Sequence, residues 1–282
     1  MGLGRRSLLG GLAGLSLSST VRAADAPFWP GGARAAVSLS YDDGLESHIA
    51  QAGPALSARG FRGTFFLTLE NMQDHVADWR AMATSGHELC NHTIHHFCGL
   101  PKTAPKTYFT KEVLEAQSRF ETLFGAQPKL FAYPCGATDL GEGTPNEQLR
   151  RYHTYLQTEG FVGARTSDGP PMSPAYARRH RFALNASAPT YERNTTDEAF
   201  EYLDMAQNLG RWAILVFHGL GPQRRESGDT TNAVHDAILD RIEGGPFWCA
   251  PIGEVLRHID APAKAQARRL TQPGTSIATR AA

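Results

Sequence analysis

Three short stretches of this 282-residue chain bring together side chains that can move protons or hold a cation. The first is Tyr41-Asp42-Asp43-Gly44, where the apolar run Ala35-Ala-Val-Ser-Leu-Ser-Tyr41 stops at two adjacent acids. Neighbouring side chains leaving a strand point in different directions, so one carboxylate can bind a metal while the other takes a proton. A plain Asp-Gly turn carries the same dipeptide. The second stretch is Gly86-His87-Glu88-Leu89-Cys90-Asn91-His92-Thr93-Ile94-His95-His96-Phe97-Cys98. His92 and His96 are four residues apart, which on a helical turn aims both imidazoles at one cation. A surface histidine cluster, an oxidised Cys90–Cys98 loop and a Cys/His zinc knot are the competing readings, although the spacing fits no usual finger. The third stretch, Trp212-Ala-Ile-Leu-Val-Phe217-His218-Gly219, caps an apolar strand with a residue that titrates near neutrality.

Together the three stretches say more than each alone. Asp43, His92 and His96 make a one-carboxylate, two-imidazole set that leaves positions on a cation open. Asp42 and His218 supply a base and an acid beside it. This is the set that metal-assisted hydrolysis requires. Zinc is the first expectation for such donors, with cobalt, nickel or manganese also compatible.

These residues need a scaffold that brings distant segments to one place. Strand-like runs are expected at Ala35–Tyr41, Gly63–Leu69, His87–Cys90, Lys129–Tyr133, Phe161–Ala164, Arg181–Leu184, Trp212–His218 and Phe247–Cys249. Helices are expected between them, at Leu45–Arg59, Asp74–Ser85, Phe109–Phe124, Asn146–Glu159, Thr196–Leu209, Thr231–Glu243 and Ile252–Ile259. Thr144-Pro145-Asn146-Glu147 reads as a capping box with proline at the first helical position. Strand–helix alternation implies an α/β fold with a mainly parallel sheet. The suspicious polar residues follow the ends of several different strands, which is the arrangement of a (β/α) barrel enzyme. The expectation is therefore a (β/α) barrel of about seven to eight parallel strands. Pro170-Pro171-Met172-Ser173-Pro174 reads as a rigid loop beside the groove, and Trp29, Trp79, Trp212 and Trp248 as core fillers.

Composition is that of a globular chain, with 41% hydrophobic and 20% charged residues, which excludes coiled coil, collagen and long disorder. Formal net charge is zero, so no nucleic-acid partner is expected. No apolar run is long enough for a membrane span, and nothing in the sequence specifies an oligomer. Arg5-Arg6-Ser7-Leu8-Leu9 precedes a Gly/Leu/Ser stretch and the small-residue site Val21-Arg22-Ala23. Residues 1–23 thus read as a signal peptide of twin-arginine type, which sends the protein to the periplasm or outside the cell. An oxidising compartment lets Cys90, Cys98, Cys135 and Cys249 pair in any of three ways. Residues 28–260 form the expected catalytic domain. Residues 262–282 lack apolar periodicity and are expected to form a flexible tail.

Tyr41-Asp42-Asp43-Gly44, Asn91-His92-Thr93-Ile94-His95-His96, Phe131-Ala132-Tyr133-Pro134-Cys135-Gly136 and the apolar strand ending at His218 resemble, in order, the motifs of the polysaccharide deacetylases. This is carbohydrate esterase family 4, the NodB-homology domain, and the resemblance spans about residues 33–260. It implies a distorted (β/α) barrel, a divalent metal and an acetylated glycan as substrate. It also implies Asp42 as base, Asp43, His92 and His96 as metal ligands, and His218 as acid. Tyr133 and the backbone N–H of Cys135 would contact substrate and the oxyanion. The chain departs from the family in three places, one of them Cys135, where the family commonly has an aromatic. Ala132 stands where the family usually has an arginine that orients the base, and the segment Gly163-Ala164-Arg165-Thr166-Ser167-Asp168 lacks the usual tryptophan. Arg165, arriving from the next strand, is the expected replacement for that guanidinium. The expected reaction is removal of acetyl groups from an N-acetylated carbohydrate. The alternatives are an O-acetyl esterase acting on xylan or another polymer, and a non-catalytic barrel that binds metal or sugar. Cys98–Cys135 or Cys90–Cys98 disulfides would stiffen the rim, and free thiolates there would instead compete for the metal.

Overall fold

The computed structural model describes residues 28–99 and 104–271. The expected signal peptide, residues 1–23, lies outside these described residues. Seven parallel strands form the main sheet. They are β1 (Ala35–Asp42), β2 (Thr64–Leu67), β3 (Glu88–Asn91), β4 (Leu130–Ala132), β5 (Gly163–Arg165), β6 (Trp212–Phe217) and β9 (Phe247–Cys249). The order is β5-β4-β3-β2-β1-β6, and β9 pairs with β1. The two-residue strands β7 (Leu220–Gly221) and β8 (Thr230–Thr231) pair with each other beyond the end of β6.

β1 is the axis of the sheet, and all eight of its residues are buried. It pairs along its length with β6, and on its other edge first with β9 and then with β2. Its sequence alternates small polar with apolar residues, and the two sets separate. Val37, Leu39 and Tyr41 pack toward the helices, in a core with Phe65, Leu215 and Phe217. On the other face the Ser38 hydroxyl donates to Ala250 O at 2.7 Å, and the Ser40 hydroxyl accepts from Arg165 Nε at 3.1 Å. This two-residue period points Asp42, at the strand end, to the inside of the curl.

The sheet curls until its two edges approach. Leu184 N donates to Ala164 O, and Ser187 N donates to Ile214 O, both at 2.9 Å. One parallel bridge at Leu184 thus meets β5, and one at Ser187 meets β6. The expected strand Arg181–Leu184 is reduced to this contact. Ala183 N closes a turn onto His180 O at 2.8 Å, so the segment meets β5 at its two ends alone, where Arg181 O accepts from Ala164 N at 2.7 Å and Leu184 N donates to Ala164 O. The segment Pro170–Pro174 also differs from its expected place. Met172 is buried and bridges Trp212, and a helix, Pro174–Arg179, begins at once with Ser173 as its cap.

Helices fall between the strands as the alternation requires. Thr144 N donates to Glu147 Oε2 at 2.8 Å at the start of the helix Pro145–Thr158. The helix expected over Leu45–Arg59 opens with a wide π turn, His48–Ala52, ahead of Gly53–Ala58. Pro54 has no N–H to give to a regular i–4 ladder. The last helix runs from Ile252 to Thr271, further than the expected end at Ile259 and into the segment read as a tail. The stretch Ala263-Lys-Ala-Gln-Ala-Arg-Arg269 has no apolar stripe, yet it consists of strong helix formers. Trp29, Trp79 and Trp212 are buried in the core. Among the described residues no helix is long and apolar enough to cross a membrane.

Candidate active site

The C-terminal ends of β1, β3, β4, β5 and β6 deliver Asp42 and Asp43, His92 and His96, Tyr133 and Cys135, Arg165, and His218 to one place. There they meet a cavity of about 660 Å³, lined by Asp42, Asp43, His96, Cys135, Arg165 and His218 among others. The described residues with positive φ other than glycine are four, Asp43 (79°), Thr93 (70°), His96 (55°) and Cys135 (54°), and all four belong to this site. Backbone in that region is strained for residues with a Cβ and persists where surrounding contacts hold it.

Those contacts are present. Asp43 follows β1 into the left-handed turn with Gly44, and Asn71 Nδ2 holds its carbonyl at 3.0 Å. The histidines do not sit on a helical turn, which corrects the sequence expectation. Asn91 Oδ1 accepts from Thr93 N at 2.8 Å, and the Thr93 hydroxyl accepts from His96 N at 3.0 Å. Two left-handed residues fold the loop back, so that the imidazoles of His92 and His96 lie with centroids 4.7 Å apart. Asn91 is itself anchored, its Nδ2 donating to Val113 O and Gln117 Oε1. His95 points away from the pair and binds Glu112 at 2.9 Å.

The donor set fits a divalent cation. Asp43 Oδ1 lies 3.6 Å from His92 Nε2 and 3.4 Å from His96 Nε2. Two donors held about 2.1 Å from one ion at the tetrahedral angle stand about 3.4 Å apart. His92 Nδ1 donates to the carbonyl of Ala132 at 2.9 Å, which leaves Nε2 as the free lone pair. Burial keeps both imidazoles neutral, with His92 lowered to about 3 and His96 lowered as well. Ala132 thus contributes its backbone carbonyl at the position where the side chain departs from the expected motif.

Arg165 fills the place Ala132 leaves. It is only 1% exposed, and its Nη2 donates to Asp42 Oδ1. Its Nε donates to Ser40 Oγ at 3.1 Å, and its guanidinium lies 4.8 Å over the Phe66 ring. Burial by itself would raise the Asp42 pKa. Arg165, His92 and His218 together outweigh that effect and hold the carboxyl at about 2. Asp43 moves the opposite way, to about 6, because it is buried next to the ionised Asp42. Two adjacent acids are therefore set for different tasks by their surroundings.

His218 is fixed through its backbone, whose carbonyl accepts from His48 Nε2 at 2.9 Å, and its ring meets Tyr191 edge to face. Tyr133 lines the cavity, but its hydroxyl donates to Phe182 O at 2.8 Å and is not free to meet a substrate. Cys135 is bonded to Cys98, while Cys90 and Cys249 are free thiols. This decides among the open pairings and removes the Cys90-containing zinc knot. Sequence reasoning gave little weight to the wall built by Asp168, Tyr191, Glu192, Glu198, Glu226 and Asp229. These residues lie in loops and a helix start with no periodic signal, and only the fold gathers them. His235 does not reach the cavity; it is buried against Tyr41.

Residues 31–148 match the family described as polysaccharide deacetylase. This part of the chain is similar to that family. A curated relative, a gellan lyase from a Bacillus species, is 26% identical over 114 residues, and the match spans 4% of its length. Two solved structures share the fold. A Mycobacterium smegmatis protein assigned to the polysaccharide deacetylases is 16% identical, with a TM-score of 0.62, 90% of this chain covered and 96% of that one. A family 4 acetyl xylan esterase from Clostridium thermocellum, solved with a cobalt ion, is 16% identical, with a TM-score of 0.53 and 78% and 90% covered. The curled parallel sheet of this chain is thus the fold of these two structures.

Proposed function

We propose that the chain removes acetyl groups from an N-acetylated carbohydrate by attack of water on the acetyl carbonyl. The observation that carries this reading is the pairing of Asp42 with Arg165 beside the Asp43–His92–His96 donors, in the same cavity as His218. Asp42 is needed for no ligand set, so an ionised and fixed Asp42 is best explained as a base. A divalent cation held by Asp43, His92 and His96, zinc first from the donor types, would polarise the acetyl carbonyl and the attacking water.

Asp42 accepts the proton of the attacking water, while Arg165 fixes the direction of its carboxylate. His218 donates a proton to the nitrogen that leaves. The backbone N–H of Cys135, in its left-handed turn, supports the oxyanion as it forms. The Arg165 contact weakens the case for a binding-only barrel, because it supplies the guanidinium that Ala132 cannot. The disulfide and the expected signal peptide together support export to an oxidising compartment.

Acetate release by the zinc- or cobalt-loaded protein tests this, with a panel of N-acetylated and O-acetylated glycans and Asp42→Asn as control. Release from the N-acetyl half that Asp42→Asn abolishes is the expected result. Release confined to the O-acetyl half would make the protein an esterase. Metal binding with no release from either half would overturn the hydrolytic reading.

A further inference from the structure

His96 belongs to two possible ligand sets. Its imidazole nitrogen lies within 4.8 Å of ligand atoms of Asp43 and His92, and within the same distance of the sulfurs of Cys98 and Cys135. In the oxidised protein the second set is closed, because the two sulfurs are bonded to each other. The bond is accessible: Cys98 and Cys135 are both exposed, Cys135 lines the cavity, and His96, which lines it too, is half-buried. It also ties together the two left-handed turns that carry His96 and Cys135.

We propose that the Cys98–Cys135 disulfide is a redox gate on where this chain holds its metal. The gate rests on the reading of Asp43, His92 and His96 as metal ligands. A dithiol reductant gives up two electrons and two protons, cleaves the S–S bond to two thiols and leaves as a cyclic disulfide. A divalent ion then displaces the two thiol protons and binds both sulfurs together with His96. Thiolates outbid a carboxylate for zinc, cobalt or cadmium. His96 cannot serve both sets, so Asp43 and His92 alone are left to hold an ion beside Asp42. In the reverse step a small-molecule disulfide accepts the two electrons, takes up two protons and leaves as two thiols; the Cys98–Cys135 bond re-forms, the ion is released from the sulfurs, and His96 returns to the Asp43 set. The buried thiol of Cys90 and the half-buried one of Cys249 are the same in both states and do not contribute to the change.

Cobalt reports the ligand type directly. The full-length protein is prepared oxidised, and in parallel reduced with dithiothreitol that is then removed without air. Both are loaded with cobalt and read by absorption spectrum, metal content and acetate release. The oxidised protein should bind one ion per chain without a thiolate-to-cobalt charge-transfer band. The reduced protein should bind one ion with that band and release acetate about tenfold more slowly or worse, since disturbing the shell of a catalytic metal costs about 10- to 100-fold. Re-oxidation should restore the first state. The variant Cys98→Ser/Cys135→Ser lacks both staple and thiols, and should give the oxidised protein's cobalt spectrum under either condition. That match would show that the fold holds without the bond. A reduced protein with no sulfur band overturns the gate, and so does one that binds two ions, because His96 is then not shared. An oxidised protein that binds no cobalt overturns the Asp43–His92–His96 reading itself, and the gate with it.

Discussion

Tyr41 and Asp42 are neighbours on β1, and they enter two buried polar clusters that behave differently. The Tyr41 hydroxyl meets His235 Nε2 at 2.9 Å, and its ring stacks on Phe65 and Phe217 with centroids 4.8 and 5.5 Å away. His48 packs edge-on at 5.6 Å. Burial is the first cause of every shift there: Tyr41 goes up, His48 falls to about 4 and His235 to about 3. Tyr41, His48 and His235 are held neutral there, and none of the three lines the active-site cavity. On the other face of the strand, Asp42 is buried as deeply, yet its carboxyl is held low by Arg165 and the histidines against the pull of burial. That cluster has opposed charges, left-handed backbone at Asp43, His96 and Cys135, and an open cavity. Perturbed titration alone therefore does not mark a site. Charge balanced against burial, strained backbone and access do so together.

The sharpest way to break this comparison is Asp42→Asn. Loss of a general base lowers turnover by about 10²- to 10⁴-fold, and the acetate-release rate of the metal-loaded protein should fall by that much while metal content stays unchanged. Equal turnover in Asp42→Asn would place Asp42 with Tyr41, as a buried structural group. Arg165→Ala comes next. Removing one partner of a buried ion pair costs about 3–5 kcal/mol, so urea unfolding should show a loss of that size together with a large fall in turnover. Arg165→Lys keeps the charge and loses the fork, and should recover stability better than activity. A variant Arg165→Ala that folds and turns over normally would remove the guanidinium from the proposed mechanism.

The chemistry-bearing residues were legible because they lie at strand ends, where a two-residue period gives way abruptly to acids or histidine. Asp42, Asp43 and His218 all follow apolar runs, and the strand order needed to unite them follows from alternation with helices. What was not legible depends on contacts between segments far apart in the chain. The helical reading of His92–His96 used spacing alone, and spacing cannot show that Asn91 and Thr93 hold a folded-back loop. The closing strand was expected at Arg181–Leu184 and shrank because a turn at His180 competes with extension. The Cys98–Cys135 pairing stayed open because 37 residues separate the partners, and only the register of β3 beside β4 brings their loops together. Arg165 was legible as a candidate from a missing partner at Ala132, but its seat on Ser40, Asp42 and Phe66 is a product of the curl.

The Tyr41 side of the comparison is sharpened by acid. His48 and His235 have folded pKa values lowered to about 4 and about 3, against about 6.5 in an unfolded chain. The unfolded state therefore binds protons first, and stability is complete above about pH 6.5 and falls as pH drops toward 4 and 3. Each histidine contributes a slope of up to about 1.4 kcal/mol per pH unit in that window. Urea midpoints measured from pH 7 to 4.5 should fall steadily, and His235→Phe should flatten the curve by about one histidine's share. An unchanged slope in His235→Phe would mean that His235 is not held neutral by the fold.

Tyr41→Phe is the mildest test. It deletes one hydroxyl and leaves the ring stack intact, so it should cost about 1 kcal/mol, the net worth of one buried hydrogen bond. His235 then keeps an unmet nitrogen, which places the loss at the upper end of that range rather than below it. Turnover per folded molecule should not change, since Tyr41 faces the helices while Asp42 beside it faces the cavity. A change in turnover without a change in stability would show that the two faces of β1 are coupled, and that the cluster around His235 helps to place the strand end that carries Asp42.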